Sequence, residues 1–180
     1  MVIKNATQVG NPTIRARAKR VSNPTAAATR KLVKDLIDSM RHHGLVGMAA
    51  PQIGKSLRIF VTEPRNTQAR TLKVKDKDGI RVFINPRITS TSRAKVDSWE
   101  GCGSVADKNL FGMIRRFASV TVEAYGEDGK KFTLKASGLL ARVIQHEMDH
   151  LNGKVFTDAA DPATYMSRVE YLKTKGRRRR

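Results

Sequence analysis

Two histidines and a glutamate in one short segment have the types and the spacing needed for metal-assisted hydrolysis. Residues 146–150 read His-Glu-Met-Asp-His. If this segment is helical, His146 and His150 lie one turn apart on the same face and can bind one metal ion. Glu147 is then held beside the metal, where it can accept a proton from water and deliver it to a leaving nitrogen. The segment indicates hydrolysis of an amide-type bond; a solvent-exposed polar helix face is the alternative.

Such a site needs a third protein ligand, and the sequence offers two candidates. Cys102 is the only cysteine, and a thiolate is a strong ligand for zinc or iron. The glycines on either side of it would let the backbone approach a metal or a substrate. Glu170 lies downstream of the histidines, as the third ligand does in some metalloproteases, although its basic neighbours favour ion pairing. A lone cysteine can also be an inert apolar residue, so we favour Cys102 while Glu170 stays open.

Hydrophobic periodicity indicates the elements that must position these groups. It predicts a helix that begins at Asn23-Pro24 and ends at Gly44, a second helix over 138–151, and a last helix from Asp161 to about Lys175. Residues 1–23 read as an irregular arm and 44–54 as a tightly packed loop. Strands are predicted over 57–63, 80–85, 119–125 and 131–136, with a short one within 87–96. Antiparallel strands with segregated helices predict an α+β fold.

The 180 residues predict one catalytic domain over 1–160, followed by a C-terminal helix and basic tail over 161–180. The start of the chain lacks a signal-peptide pattern, and no apolar run approaches the ~20 residues of a membrane helix. One cysteine excludes an internal disulfide. These features predict a soluble protein without a membrane partner, in the cytoplasm or in an organelle after removal of a presequence.

The charge is strongly basic, with 35 Lys and Arg against 16 Asp and Glu, which gives a net charge of +19. Such a surface attracts polyanions, and the ribosome or its RNA is the obvious candidate. A solvated basic surface without a dedicated partner is the alternative. The run Lys173–Arg180 (KTKGRRRR) favours RNA, although it could also be a tail without a role.

Three segments resemble, in order, the signature motifs of peptide deformylases. They are Gly47–Gln52 (GMAAPQ), Glu100–Ser104 (EGCGS) and Gln145–Leu151 (QHEMDHL). With the arm over residues 8–15, the resemblance covers about residues 6–158. It implies an α+β fold in which antiparallel sheets pack around a central helix that carries the HExxH motif.

The resemblance also implies a reaction and a cofactor. Deformylases remove the N-formyl group from the N-terminal methionine of nascent polypeptides and release formate. The implied cofactor is one divalent metal, ferrous iron in the cell, with zinc, nickel or cobalt as alternatives. N-formylmethionyl nascent peptides are the implied substrates, and we expect a monomer.

Motif by motif, the resemblance implies a role for each site residue. Cys102, His146 and His150 would be the metal ligands, with Glu147 as general acid and base. The Gln52 amide and the Gly103 backbone N–H would stabilise the developing oxyanion, although Gln52 alone would read as a loop-bracing amide. The implied substrate contacts are the backbone of Gly47 and a methionine pocket lined by Val46, Glu100, Leu139 and Val143.

Two positions depart from the family pattern. Leu45 stands where a glycine is usual, and Gly103 stands where many members have leucine. Some members also carry a substrate-binding arginine soon after the second motif, for which Arg115 and Arg116 are candidates. These departures concern peptide preference and rate rather than reaction class.

The residues alone leave two other functions as alternatives. One is a general HExxH peptidase that uses Glu170 or another group as third ligand. The other is a catalytically silent relative of the deformylases that binds RNA or ribosomes.

Overall fold

The helices and strands follow one another in a mixed order. The computed structural model describes residues 2–68 and 70–177. The helices are α1 (Pro12–Arg15), α2 (Ala27–His42), α3 (Gly138–Leu151) and α4 (Arg168–Arg177). The strands are β1 (Gly47–Ala49), β2 (Ile59–Thr62), β3 (Arg81–Thr91), β4 (Lys95–Gly101), β5 (Leu110–Phe117), β6 (Ser119–Tyr125), β7 (Lys131–Ser137) and β8 (Asp161–Ser167).

The strands form two sheets in which every neighbouring pair is antiparallel. One sheet has the order β1-β2-β3-β6-β7, and the other has the order β4-β5-β8. The hairpin predicted around Asp128-Gly129 is present, with β6 and β7 in unbroken register. The predicted α+β class with antiparallel sheets is confirmed.

Helix α3 lies between the two sheets and matches its predicted bounds. It contacts β1, β2, β6 and β7 of the larger sheet and β5 of the smaller one. Its buried residues Ala141, Ile144, Met148 and Leu151 recur at helical spacing and pack in a core with Phe60, Phe83 and Val122 of the larger sheet. Burial of each large apolar side chain of this kind stabilises the fold by about 1.5–3 kcal/mol. This packing fixes the rotation of α3, and therefore the direction in which its polar residues point.

The end of α3 is fixed by a glycine. Gly153 has φ +74°, and a Cβ at this position would overlap the carbonyl oxygen of Arg15. Only glycine allows both the left-handed backbone and the close approach of the N-terminal arm.

Helix α2 begins later than predicted and ends as predicted. Asn23 does not cap it; the Asn23 Oδ1 atom accepts a hydrogen bond from the backbone N–H of Thr25 and so forms a turn before the helix. Its end has the hydrogen bonds of a Schellman motif, from Leu45 N to Met40 O and from Gly44 N to Arg41 O.

Two segments differ from the sequence expectation because they pair with distant strands. Part of the predicted loop 44–54 is strand β1, which pairs with β2, followed by a 3-10 turn over Ala50–Ile53. The helix predicted from Asp161 is wrong in its first half, because Asp161–Ser167 form β8 beside β5, and the helix begins at Arg168. Pro162 lacks an N–H but is tolerated because β8 is an edge strand.

The segment between 80 and 117 also contains more strand than predicted. Strand β3 continues to Thr91, and β4 and β5 form a long hairpin from Lys95 to Phe117. The division into residues 1–160 and 161–180 stays a prediction. Of the basic run at the C-terminus, residues 178–180 lie outside the described residues. Among those described, no helix is both long and apolar enough to cross a membrane.

Candidate metal centre and active site

The end of β4 and one face of α3 bring together three side chains that could hold a metal ion. Cys102 follows β4 directly, while His146 and His150 lie one turn apart on α3. Their ligand atoms all lie within 4.8 Å of one another, and Cys102 Sγ is 3.1 Å from His150 Nε2. Glu170 is not part of this cluster: it is exposed on α4 and accepts a hydrogen bond from Lys173. The structure therefore brings Cys102, rather than Glu170, to the two histidines.

The charge balance of this cluster favours a cation between its members. Burial alone would raise the pKa of the Cys102 thiol, but the neighbouring His150 and His146 imidazoles hold it well below the usual 9.0. Burial would lower the pKa of His146, but Cys102 and Glu100 raise it well above 6.5. The cluster thus stabilises a thiolate beside a positive charge. A divalent metal supplies such a charge, and one thiolate with two imidazoles is a donor set that zinc and iron accept.

Glu100 orients His146 from the side of the imidazole ring that faces away from Cys102. Its Oε2 atom lies 2.9 Å from His146 Nδ1, so the imidazole turns its Nε2 atom toward Cys102. Arg116 donates to both carboxylate oxygens of Glu100 at 2.7 and 2.9 Å, and Arg142 donates to one of them at 2.8 Å. Burial would raise the pKa of Glu100, but His146 and Arg116 lower it far below the usual range. Glu100 is thus a buried anion that supports a ligand.

Glu147 is buried at the same cavity with one carboxylate oxygen uncommitted. Its side chain is 3% exposed, and Oε2 has no hydrogen-bond partner among the described residues. Burial raises its pKa to about 7, which suits a group that accepts and releases protons near neutral pH. The space for this carboxylate exists because residue 47 is glycine: a Cβ there would overlap Glu147 Oε1 and lie 2.6 Å from Val143 Cγ1.

The amide of Gln52 is oriented by the backbone. Its Oε1 atom accepts a hydrogen bond from Ala49 N at 2.8 Å, which turns the NH2 group toward Cys102 Sγ at 3.6 Å and Ser104 Oγ at 3.4 Å. Gln52 therefore braces its loop, which is the role expected from this residue alone. Its NH2 group also presents two N–H donors beside the Cys102 sulfur.

The N-terminal arm ties the first two motifs together. Thr7 N donates to Gln52 O and Val9 N donates to Ser104 O, both at 2.8 Å. Between them, Gln8 Nε2 donates to Gly103 O at 2.8 Å. The arm therefore holds the backbone at Gln52 and the two residues that follow Cys102.

Every residue predicted for the site, except His150, lines one cavity of about 80 Å³. His150 is fully buried behind it. Val46, Leu139 and Val143 give the cavity its apolar lining. The sequence did not single out Arg70 and Arg142, which also line it.

The extra arginines differ in how far the sequence could have indicated them. Arg142 precedes His146 by one helical turn, so its place on the same face of α3 could have been predicted. Arg70 lies in a polar stretch without periodicity, and no local signal marked it. Neither earlier candidate lines the cavity: Arg116 is buried under Glu100, and Arg115 lies in a separate groove.

The two departures from the family pattern touch each other. A Cβ on Gly103 would stand 3.1 Å from Leu45 Cδ1, closer than side chains normally pack. Leu45 thus occupies space that a side chain at position 103 would need, and it forms a wall of the cavity beside Cys102.

Comparisons with known proteins agree with this geometry. The profile of the polypeptide deformylase family matches residues 3–165. A peptide deformylase of Syntrophobacter fumaroxidans is 36% identical over 164 residues, 91% of this chain and 90% of that protein. A peptide deformylase of Acinetobacter baumannii bound to Met-Ala-Ser has a TM-score of 0.81 at 27% identity, covering 88% of this chain and 99% of that one. One from Legionella pneumophila has a TM-score of 0.77 at 33% identity, covering 99% and 98%.

An α+β fold with this donor set and a buried glutamate at one cavity defines a metal-dependent amide hydrolase. The chain belongs to the peptide deformylase family, whose members remove the N-formyl group from the N-terminal methionine of nascent polypeptides. The predicted family, fold, reaction and enzyme class are confirmed.

The support of His146 by Glu100 can be tested through metal affinity. We expect Glu100→Gln to weaken metal binding about 10–100-fold, because the neutral amide no longer holds the imidazole as an anion does. Asp149→Asn is the matched control, since Asp149 pairs with Arg116 but makes no hydrogen bond to His146. Chelator competition on both variants measures the affinities, and equal losses would argue against a specific role of Glu100.

The contact between Leu45 and Gly103 predicts coupled effects on catalysis. Gly103→Leu alone should lower kcat/KM for a formylated peptide, because the new side chain displaces Leu45. In a Leu45→Gly background the same change should be tolerated, with a coupling of about 0.5–3 kcal/mol in a double-mutant cycle. Additive effects of the two substitutions would show that they act independently.

Proposed function

We propose that Cys102, His146 and His150 hold one divalent metal ion, with which the chain deformylates N-formylmethionyl peptides. The observation that carries this proposal is the convergence of the three ligand atoms within 4.8 Å, beside a buried glutamate with an uncommitted oxygen. Family membership supplies the reaction, and the donor set fits the chemistry that the reaction requires.

The methionine side chain would enter the apolar part of the cavity, between Val46, Leu139 and Val143. Strand β1 is an edge strand, paired only with β2. Its free side can therefore form backbone hydrogen bonds with an extended peptide. Gly47 lies against Glu147, since a Cβ at position 47 would overlap Glu147 Oε1. Together these contacts would direct the formyl group toward Cys102.

When bound, the metal supplies Lewis acidity, which lowers the pKa of water and polarises the formyl carbonyl. The Glu147 carboxylate accepts a proton from the water that attacks the formyl carbon, and it then delivers the proton to the methionine nitrogen as the C–N bond breaks. The Gln52 NH2 group and the Gly103 backbone N–H donate to the oxygen that gains negative charge. The hydrogen bond from Ala49 to Gln52 keeps the amide in this orientation.

We expect ferrous iron as the metal in the cell because the family resemblance implies it; the donor set itself fits zinc, nickel and cobalt as well. Activity that is lost in air and preserved under anaerobic purification would support iron with its oxidisable thiolate. The monomeric state, the cytoplasmic or organellar location and the ribosome contact through the basic tail remain predictions.

The proposal is tested by separating metal binding from proton transfer. Glu147→Gln should retain the metal and reduce formate release from a formyl-Met-Ala-Ser peptide by about 10²–10⁴-fold, the usual contribution of a general acid and base. Cys102→Ala should lose the metal. Glu170→Ala is the control and should keep both metal and activity.

Four results would contradict this assignment. One is full deformylation by Glu147→Gln, and another is loss of metal from Glu170→Ala. Cleavage of unformylated internal peptide bonds by the metal-loaded protein would favour the general peptidase instead. Absence of both reactions would favour the silent relative that only binds RNA or ribosomes.

A further inference from the structure

A second concave surface lies on the side of α3 that faces away from the cavity. Gln145, Met148, Asp149 and Asn152 line it at spacings of three and four residues. Each lies two positions along α3 from His146, Glu147 or His150, and two positions correspond to about 200° of rotation around a helix. This surface, which we call the α3 groove, has a volume of about 430 Å³.

The walls of the α3 groove are strongly basic. They carry Arg58, Arg87, Lys95, Arg115 and Arg116, and the only acidic side chain among the described lining residues is Asp149. Asp149 pairs with Arg116, and Arg87 pairs with Glu123 on the rim. The groove therefore presents an excess of positive charge that its own acidic residue does not balance.

Three of these cations have no carboxylate partner among the residues that the structure describes. Arg58 donates to the carbonyl oxygens of Leu151 and Pro86 and to the Asn152 side chain. Burial lowers its pKa, and the nearby Arg17 and Arg20 lower it further. Asp97 stands opposite Arg115 in the β4–β5 register, but the groove still carries more positive than negative charge, and such an excess favours the binding of an anion.

Of the other two cations without a carboxylate partner, one lies over an aromatic ring. Lys95 and Arg115 are exposed on β4 and β5, and Lys95 Nζ lies over the half-buried Phe117 ring, 4.9 Å from its centre. A base can stack on this face only when the exposed Lys95 side chain moves from the ring to a phosphate. Cations that follow a chain of phosphates, next to an aromatic face on which a base can stack, are the usual elements of a single-stranded nucleic acid site. A site for an acidic polypeptide would need the cations but not the ring.

From this combination we propose that the α3 groove binds single-stranded RNA, with Arg58, Lys95 and Arg115 on phosphates and Phe117 against a base. The groove and the catalytic cavity lie on opposite faces of α3, so bound RNA would leave the cavity open to a peptide. RNA binding would not depend on the metal site, because none of Cys102, His146 and His150 lines the groove.

The test compares two double variants that each remove two positive charges. Lys95→Ala/Arg115→Ala removes the exposed cations of the groove. Arg30→Ala/Lys130→Ala is the matched control: it removes one arginine and one lysine that are also exposed and have no ion pair among the described residues. Binding of a fluorescent uridine homopolymer is measured by anisotropy over a range of salt concentrations.

We expect the groove variant to bind the RNA more weakly, with a slope of log K against log salt that is smaller by about 0.7 for each lost phosphate contact. The control should match the parent protein in slope and in affinity. Both variants should release formate from a free formylated peptide at the parent rate, which shows that the fold is intact. Equal losses in the two variants would mean that net charge alone attracts RNA, and the proposal would be wrong.

A third variant separates RNA from an acidic protein partner. Phe117→Leu keeps an apolar side chain but removes the stacking surface, so it should weaken RNA binding several-fold without changing the salt slope. Polyglutamate should compete poorly against the RNA. If Phe117→Leu binds RNA as well as the parent does and polyglutamate displaces the RNA readily, the groove is a site for acidic polypeptides instead.

Discussion

The buried carboxylate of Glu100 is the interaction on which the rest of the site depends. It stands near the end of β4 and binds Arg116 on β5 and both Arg142 and His146 on α3. Charges buried this deeply are costly unless each has its partners, so the geometry that satisfies them is strongly preferred over any other. Because the carboxylate joins the smaller sheet to α3, it also fixes where the chain emerges from β4. Cys102 comes two residues later and therefore meets the histidines.

Helix α3 contributes both to the hydrophobic core and to the proposed active site because different faces carry the two sets of residues. Its apolar stripe packs on the larger sheet and fixes its rotation. The stripe with His146, Glu147 and His150 then faces the end of β4, while the stripe with Asp149 faces the basic groove. Arg116 lies between the two polar faces, bonded to Glu100 on one side and to Asp149 on the other. Arg116 thus supports both the proposed metal site and the groove, although the two lie on different surfaces.

Much of this arrangement could be predicted from the sequence, and the rest depended on long-range pairing. The periodicity of α3 and the β6–β7 hairpin are local signals, and both were predicted within a residue. Strand β1 has only three residues, and β8 begins at Asp161-Pro162, a typical helix start; pairing with β2 and β5 makes them strands. The histidine spacing indicated a metal and left both Cys102 and Glu170 open; the family resemblance favoured Cys102, and the fold brings Cys102 to the histidines. The contact of Leu45 with Gly103 joins two loops and has no local signal at all.

The central claim is that this fold delivers one sulfur and two nitrogens to a single metal ion. X-ray absorption at the zinc edge of the zinc-loaded protein tests it most directly. We predict one sulfur at about 2.3 Å and two imidazole nitrogens at about 2.0–2.1 Å, with any further ligand supplied by water. The sulfur shell should vanish in Cys102→Ser. A parent spectrum with only oxygen and nitrogen ligands would contradict the account.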